Sequence, residues 1–103
     1  GMSRGRMSAL IQIRTGHAPL REHLNKLDEK VDRKCRNCRW GVTETVKHFM
    51  LDCPAWRGQR DKMRREGRVG LRELKKTLGT KNGLTAAIRF IERTGRLKEI
   101  TGR

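Results

Sequence analysis

Four side chains that commonly bind metals fall at a fixed spacing near the middle of this 103-residue chain, and they constrain its fold most strongly. Written as a pattern, the spacing is C-x2-C-x9-H-x4-C, and it uses all three cysteines. Three thiolates and one imidazole suit tetrahedral Zn²⁺. The predicted ligands of this zinc site are Cys35, Cys38, His48 and Cys53.

The second half of the pattern requires a particular backbone. Thr43 is a suitable N-cap for a helix that begins at Glu44 and carries His48. On a regular α-helix, residues five apart are separated by roughly 140°, so His48 and Cys53 would not face one metal ion. Because Pro54 disfavours the α conformation at the preceding residue, the sequence predicts that the helix ends before Cys53.

Other interpretations of the same residues stay open. In one interpretation, the three thiols are reduced and buried and bind no metal. In another, Cys35 and Cys38 form a redox pair. A redox pair leaves His48 and Cys53 without a role, and a disulfide framework leaves one cysteine over. The other two histidines, His17 and His23, are rival metal ligands.

Composition favours a single small domain over residues 1–103 that depends on its metal. Hydrophobic residues make up 34% of the chain and charged residues 36%, so the core is thin. A structural zinc contributes roughly 10–16 kcal/mol of apparent binding free energy, comparable to the stability of an ordinary domain. We therefore expect the middle of the chain to lose its fold without metal.

The charge of the chain points to a polyanionic partner. Its formal net charge is +15, and basic residues are spread along its whole length. Such a chain repels itself, and nucleic acid is the expected partner. The chain contains no run of 18 apolar residues and no apolar secretory region, which predicts an intracellular protein, nuclear or cytoplasmic, without a membrane partner.

Apolar residues at helical spacing predict a mainly α fold. We expect two helical hairpins around the zinc site, with a small β-hairpin of residues 31–34 and 40–43 as the one optional sheet. The predicted parts are a helical hairpin (4–27), the zinc knuckle (35–54) and C-terminal helices (55–97), with a loop at 80–83 and fraying at 100–103. The first helix is predicted over residues 4–15, and Pro19 lies in the first turn of the second. The last helix is predicted to begin at Leu84 and to end at Gly95. The predicted apolar stripes are Met7, Ala9, Leu10, Ile11 and Ile13; Leu20, Leu24 and Leu27; Leu71, Leu74 and Leu78; and Leu84, Ala87, Ile88 and Ile91.

Several runs resemble one family. The run LIQIRTGH ending at His17, the Cys35-x2-Cys38 pair, and the run ETVKHFMLDCP from Glu44 to Pro54 look like the region downstream of the reverse transcriptase and ribonuclease H parts of non-LTR (LINE-type) retrotransposon polyproteins, particularly fungal ones. The resemblance extends from about residue 9 to about residue 97. It implies a CCHC zinc knuckle that holds RNA or DNA, with the ligand role at the four residues of the spacing pattern.

Two departures limit what the resemblance carries over. The nine-residue gap is longer than in retroviral nucleocapsid knuckles, so their base-stacking geometry is not transferred. The chain also lacks a polymerase-type Asp–Asp pair and the spaced carboxylates of a ribonuclease H. A closed four-ligand site leaves no open position for substrate, so we expect no catalysis by this chain. Because the Thr-Gly-His run recurs in the family, His17 is the stronger rival ligand.

The preferred hypothesis is a zinc module that binds RNA or single-stranded DNA through a basic surface. The alternative is a protein-interaction or effector-like small protein whose zinc is purely structural. Aromatic side chains would stack on bases, and cations would contact phosphates. The candidate nucleic-acid-binding residues are Arg36, Arg39, Trp40, Lys47, Trp56, Arg57, Arg60, Lys62, Arg64 and Arg65.

Overall fold

The computed structural model describes residues 3–67, 76 and 78–102 of the chain. Helical segments dominate this part, as the apolar spacing predicts, and it contains no β-strand. The radius of gyration of the Cα atoms is 13.0 Å, the value of a compact domain of this length. The elements are α1 (Arg4–Thr15), α2 (Arg21–Leu27), a π-helical turn (His48–Asp52), a 3-10 turn (Pro54–Trp56), α3 (Arg57–Gly67), α4 (Lys81–Thr94) and α5 (Lys98–Thr101).

Helix α1 has the predicted bounds but a narrower buried face. Ala9, Leu10 and Ile13 are buried, whereas Met7 and Ile11 are 48% and 54% exposed. The apolar stripe predicted from spacing is therefore wrong at Met7 and Ile11. The main packing partners of α1 are α4 and α5, which cover the side of the helix that carries Ala9, Leu10 and Ile13.

The segment around α2 also departs from the prediction at both ends. Leu20 is buried at the N-cap and the helix begins at Arg21, so Pro19 lies before the first turn. Leu24 is half-buried and Leu27 is 72% exposed, so the stripe narrows along the helix. Helix α2 is only seven residues long, and no residue within it is buried.

The core joins the middle of the chain to the C-terminal helices. Helix α3 packs along α4, and Met63 is buried at this contact together with Phe90 and Ile91. Phe49 belongs to the same apolar cluster, with its ring centroid 5.4 Å from that of Phe90. The prediction for α4 is confirmed, since Ala87, Ile88 and Ile91 are buried and Gly95 ends the helix.

Two predicted irregular segments are ordered helix instead. Thr80 is the N-cap of α4 and its side chain accepts a hydrogen bond from the Gly83 backbone N–H at 2.9 Å, so the predicted loop is the first helical turn. The predicted frayed end contains α5, and Ile100 packs against the core. The predicted helix marked by Leu71 and Leu74 lies outside the described residues, although Leu78 is described and buried.

Two further sequence predictions concern sheet and membrane. The predicted β-hairpin is reduced to one isolated antiparallel bridge between Lys34 and Thr43. Within the described ranges, no helix combines the length and apolar character needed to cross a bilayer.

The close contact between α1 and α5 generates a matched pair of predictions. A Cβ at Gly5 would lie 2.5 Å from the backbone oxygen of Ile100, whereas a Cβ at Gly58 would meet nothing within 4 Å apart from its chain neighbours and its own helix backbone. Both glycines are the second residue of a helix. We expect Gly5→Ala to lower the free energy of unfolding by about 1–3 kcal/mol through overpacking. Gly58→Ala should raise it by up to about 1 kcal/mol, because alanine loses less backbone entropy.

Chemical denaturation of the two metal-loaded variants measures this difference. Equal effects of the two substitutions on the unfolding midpoint would show that α5 does not rest on α1 at Gly5.

Candidate metal centre

The first two ligands lie on a knuckle that is closed by backbone hydrogen bonds. The Cys35 N–H donates to the Val42 oxygen at 2.8 Å, and the Glu44 N–H donates to the Arg33 oxygen at 2.9 Å. Gly41 completes the turn with a φ of +69°, a conformation that favours glycine. This short ladder fixes where the chain enters and leaves the Cys35–Cys38 segment.

The other two ligands are brought together by a π-helical turn. The Cys53 N–H donates to the His48 oxygen at 2.7 Å, which is an i→i+5 hydrogen bond. A turn closed in this way stacks residues five apart, which a regular α-helix does not do. Cys53 itself has a ψ of 120° and leaves the helical conformation before Pro54, as the sequence predicts.

The N-cap of this segment differs from the prediction. The Thr45 hydroxyl accepts a hydrogen bond from the His48 backbone N–H at 2.9 Å, so Thr45 and not Thr43 is the N-cap. Glu44 therefore precedes the helical turn instead of beginning it, and its side chain is buried in the interior.

The four predicted ligands form one cluster, with all four ligand atoms within 4.8 Å of one another. The Sγ atoms of Cys35 and Cys53 are 3.9 Å apart, and Cys38 Sγ lies 3.5 Å from His48 Nε2. A tetrahedral ion with bonds of about 2.3 Å to sulfur places its sulfur ligands about 3.8 Å apart. The cluster thus has the dimensions and the donor set that a tetrahedral metal ion requires.

Burial sets the protonation state of the cluster in the absence of a metal ion. Burial lowers the pKa of His48, so the imidazole stays neutral and able to ligate. Burial, together with the charge of Cys35, raises the pKa of the Cys53 thiol to about 12. A bound divalent cation reverses this cost, because a coordinating thiol is deprotonated. Three of the four ligands are buried and Cys38 is half-buried, so the site is nearly closed to solvent.

The rival histidines lie elsewhere. His17 is exposed, and its Nδ1 is hydrogen-bonded to Thr15 Oγ1 at 2.9 Å. Its ring packs edge-on against the ring of His23, with centroids 5.4 Å apart. Neither histidine belongs to the Cys3His cluster, which is the one potential metal-binding group among the residues the structure describes.

Glu44 is a site residue that the sequence analysis missed. Its carboxylate is fully buried and accepts two hydrogen bonds from the Arg96 guanidinium, at 2.7 and 3.0 Å. It also accepts from the Arg21 backbone N–H at 2.8 Å and from Asn37 Nδ2 at 2.9 Å. The hydrogen bonds with Glu44 raise the pKa of Arg96, so the guanidinium stays charged. Glu44 therefore connects α2, the knuckle and the segment after α4.

Asn37 extends this network to the metal ligands. Its Nδ2 lies 3.7 Å from Cys35 Sγ as well as within hydrogen-bonding distance of Glu44. Groups that hydrogen-bond to ligand atoms orient them for the metal. An amide at the second position between the two cysteines was the available sequence signal, but its partner carboxylate is not visible in the spacing.

Arg60 lies where the sequence analysis did not expect it. The residue is 6% exposed, and its guanidinium donates to the backbone oxygens of Phe49, Met50 and Cys53 at 2.8–3.1 Å. Phe49 and Met50 lie within the π-helical turn and Cys53 directly follows it, at a helix end where carbonyl acceptors lack helical partners. Its guanidinium carbon also lies 5.7 Å from the centroid of the Phe90 ring. Arg60 is thus removed from the basic surface and stabilises the backbone that carries Cys53.

The remaining candidate nucleic-acid residues fall on two segments. On the knuckle, Arg36, Arg39 and Trp40 are exposed, and the Trp40 ring centroid is 5.8 Å from that of His48. Lys47 is exposed but paired with Asp52 at 2.6 Å. Trp56 is half-buried and packs edge-on against Phe49, so it contributes to the core. On α3, the exposed candidates are Arg57, Lys62, Arg64 and Arg65.

Comparisons of the chain with protein-family models, with curated proteins and with solved structures give no match. What the structure establishes is a small, mainly helical domain that carries a buried Cys3His cluster suited to a metal ion.

The geometry of the cluster predicts which histidine is required for metal. We expect the purified chain to carry one ion, His17→Ala to retain it and His48→Ala to lose it, because only His48 places a ring nitrogen among the three thiols. Native mass spectrometry measures the stoichiometry directly. Loss of the ion from the His17 variant would contradict this ligand set.

The buried carboxylate gives a second prediction for this site. Glu44→Gln leaves the Arg96 charge without its counterion. We expect the free energy of unfolding to fall by about 3 kcal/mol, the lower limit of the usual loss when one partner of a buried ion pair is removed. The matched control is Asp52→Asn, which breaks the exposed pair with Lys47 and should cost about 0–1 kcal/mol. Denaturant unfolding of both metal-loaded variants makes the comparison, and similar losses would contradict a structural role of Glu44.

Proposed function

We propose that the Cys3His cluster holds one Zn²⁺ and that the chain is a nucleic-acid-binding zinc module of retroelement origin. Zinc is the ion of choice because Cys3His sets with closed tetrahedral geometry are typical of structural zinc sites. The proposed origin rests on the resemblance of residues 9–97 to the tails of non-LTR retrotransposon polyproteins. In this proposal the chain binds nucleic acid and performs no catalysis.

The exposed tryptophan at the metal centre is the observation that carries the binding proposal. Trp40 is 57% exposed, although tryptophan side chains are on average highly buried. It follows Arg39 in the chain and lies beside the ligand His48, so zinc binding would fix its position. A rigid aromatic ring flanked by cations is the usual platform on which an unpaired base stacks.

The charge distribution supports the same proposal. The net charge of +15 supplies the attraction to phosphates, which provides most of the non-specific affinity for nucleic acid. Exposed arginines lie both on the knuckle and along α3, so an extended strand would meet cations on either segment. Single-stranded RNA or DNA fits better than a duplex, because a base must be unpaired to stack on Trp40.

The test compares Trp40→Ala with a control that removes a similarly exposed apolar side chain. Loss of base stacking costs about 1–3 kcal/mol, so Trp40→Ala should weaken binding of single-stranded oligonucleotides by roughly fivefold to more than a hundredfold. Ile11→Ala, at a residue that is 54% exposed on α1, should leave the affinity unchanged. Fluorescence anisotropy of the zinc-loaded variants measures both dissociation constants.

The salt dependence distinguishes this function from its alternative. Binding should weaken as the salt concentration rises. The logarithm of the binding constant should fall against the logarithm of the salt concentration with a slope of about −0.7 per phosphate contact on a single strand. If the zinc-loaded chain binds no oligonucleotide even at low salt, the nucleic-acid function is wrong and a protein-interaction module with a purely structural zinc is favoured.

A further inference from the structure

A cleft with a volume of about 310 Å³ opens beside the metal centre and is lined mostly by arginines. Arg21 comes from the start of α2, Arg36 from between the two knuckle cysteines, and Arg96 from the turn after α4. Asn37 and the buried Glu44 complete the lining. Three guanidinium groups from segments far apart in sequence therefore converge on one concave site, which the sequence analysis did not identify.

The hydrogen bonds of these arginines leave donors for a ligand. Arg96 uses its Nε and Nη2 on Glu44 and Pro19, and Arg21 uses its Nε on the Asp32 backbone oxygen. Within the described ranges, the Arg36 guanidinium makes no hydrogen bond or ion pair. A guanidinium carries five N–H donors, so several donors around the cleft are uncommitted.

The carboxylate in the wall of the cleft is already saturated. Each Glu44 oxygen accepts two hydrogen bonds, with Arg96 contributing to both oxygens. These four bonds fill the acceptor capacity of a carboxylate, so Glu44 orients Arg96 and competes little for an incoming anion. With three arginines and one glutamate, the lining has a formal charge of +2.

One further acid, Asp32, lies next to Arg21, whose Nε donates to the Asp32 backbone oxygen. Asp32 Oδ1 accepts a hydrogen bond from the Lys34 N–H at 3.0 Å. That bond, together with the charges of Lys34, Arg21 and Arg36, lowers the pKa of Asp32. Asp32 is therefore ionised at neutral pH and offsets part of the charge of Lys34, Arg21 and Arg36. With Lys34 and Asp32 counted together with the lining residues, the formal charge of this region is still +2.

We propose that this cleft binds one phosphate group, which under the proposed function belongs to the nucleic-acid strand. Arg36 is the principal contact, because its guanidinium is uncommitted and its planar fork matches phosphate oxygens. Arg21 and Arg96 supply additional donors from the walls. Because Arg36 lies between the ligands Cys35 and Cys38, metal binding fixes the backbone from which it reaches the phosphate. The inference deepens the proposed function, and its phosphate site is testable separately.

The first experiment uses inorganic phosphate alone, so that it does not depend on nucleic-acid binding. The zinc-loaded chain is titrated with phosphate, and with chloride at matched ionic strength, while the arginine side-chain Nε–H signals are followed by NMR. We expect saturable shifts of the Arg21, Arg36 and Arg96 signals with phosphate only. Identical responses to phosphate and chloride would overturn the proposal.

The second experiment uses the strand. Arg36→Gln is chosen because Arg36 is exposed and its guanidinium makes no bond in the described part of the chain, so the variant should fold. We expect it to reduce the salt slope of single-strand binding by about 0.7, the loss of one phosphate contact. The control Lys81→Gln removes the same charge from an exposed residue on α4 and should leave the slope unchanged.

Two oligonucleotides, with and without a 5′-phosphate, identify the source of the group. If Arg36→Gln weakens both equally, the cleft holds a backbone phosphodiester; if it weakens only the phosphorylated strand, the cleft holds a terminal phosphate. Either result supports the site. The cleft proposal fails if Arg36→Gln has the same salt slope of strand binding as the wild-type chain and phosphate shifts no arginine signal. The nucleic-acid function survives that result, because the wild-type chain still binds strands. If phosphate shifts the arginine signals but no strand binds, the phosphate site stands and the function fails.

Discussion

The i→i+5 hydrogen bond from the Cys53 N–H to the His48 oxygen is the constraint on which the metal centre depends. A regular α-helix would turn these two ligands away from each other, and an extended segment would not hold them at a fixed distance. The π-helical turn stacks them and leaves Cys53 at the point where the chain bends toward α3. Such single turns are rare and are frequently found at functional sites.

This turn also connects the metal centre to the helical body. His48 faces the cysteines, while the next two residues, Phe49 and Met50, are fully buried in the core. Arg60 then reaches back from α3 to satisfy the carbonyls at the end of the turn. The site and the core are thus built on the same few residues. In a chain with a thin core, such sharing makes the ligand geometry and the packing of α3 on α4 interdependent.

A second connection runs through charged groups. The cost of burying Glu44 is offset by its four hydrogen bonds, two from the Arg96 guanidinium, one from a backbone N–H and one from an amide. Through Asn37 the same network reaches a ligand sulfur. Glu44, Asn37 and Arg96 of this network also line the arginine-lined cleft. The same side chains therefore support the knuckle and shape the surface that is proposed to bind a phosphate. Structural support and ligand recognition are therefore expected to change together when metal is lost.

The sequence by itself determined the four candidate metal ligands, the extent of α1, the end of α4 at Gly95 and the bend before Pro54, because these depend on residue types at short, fixed spacings. Tertiary structure decided which apolar side chains are covered: spacing placed Met7 and Ile11 with Leu10, but α4 and α5 cover only the Ala9, Leu10 and Ile13 side. It also decided the fate of the charges. The sequence predicts Arg60 as a surface cation, but in the fold it is buried and donates to three backbone carbonyls. The partner of Glu44, Arg96, lies 52 residues away in the sequence. Periodicity describes one element at a time, whereas burial and charge pairing depend on what another element presents.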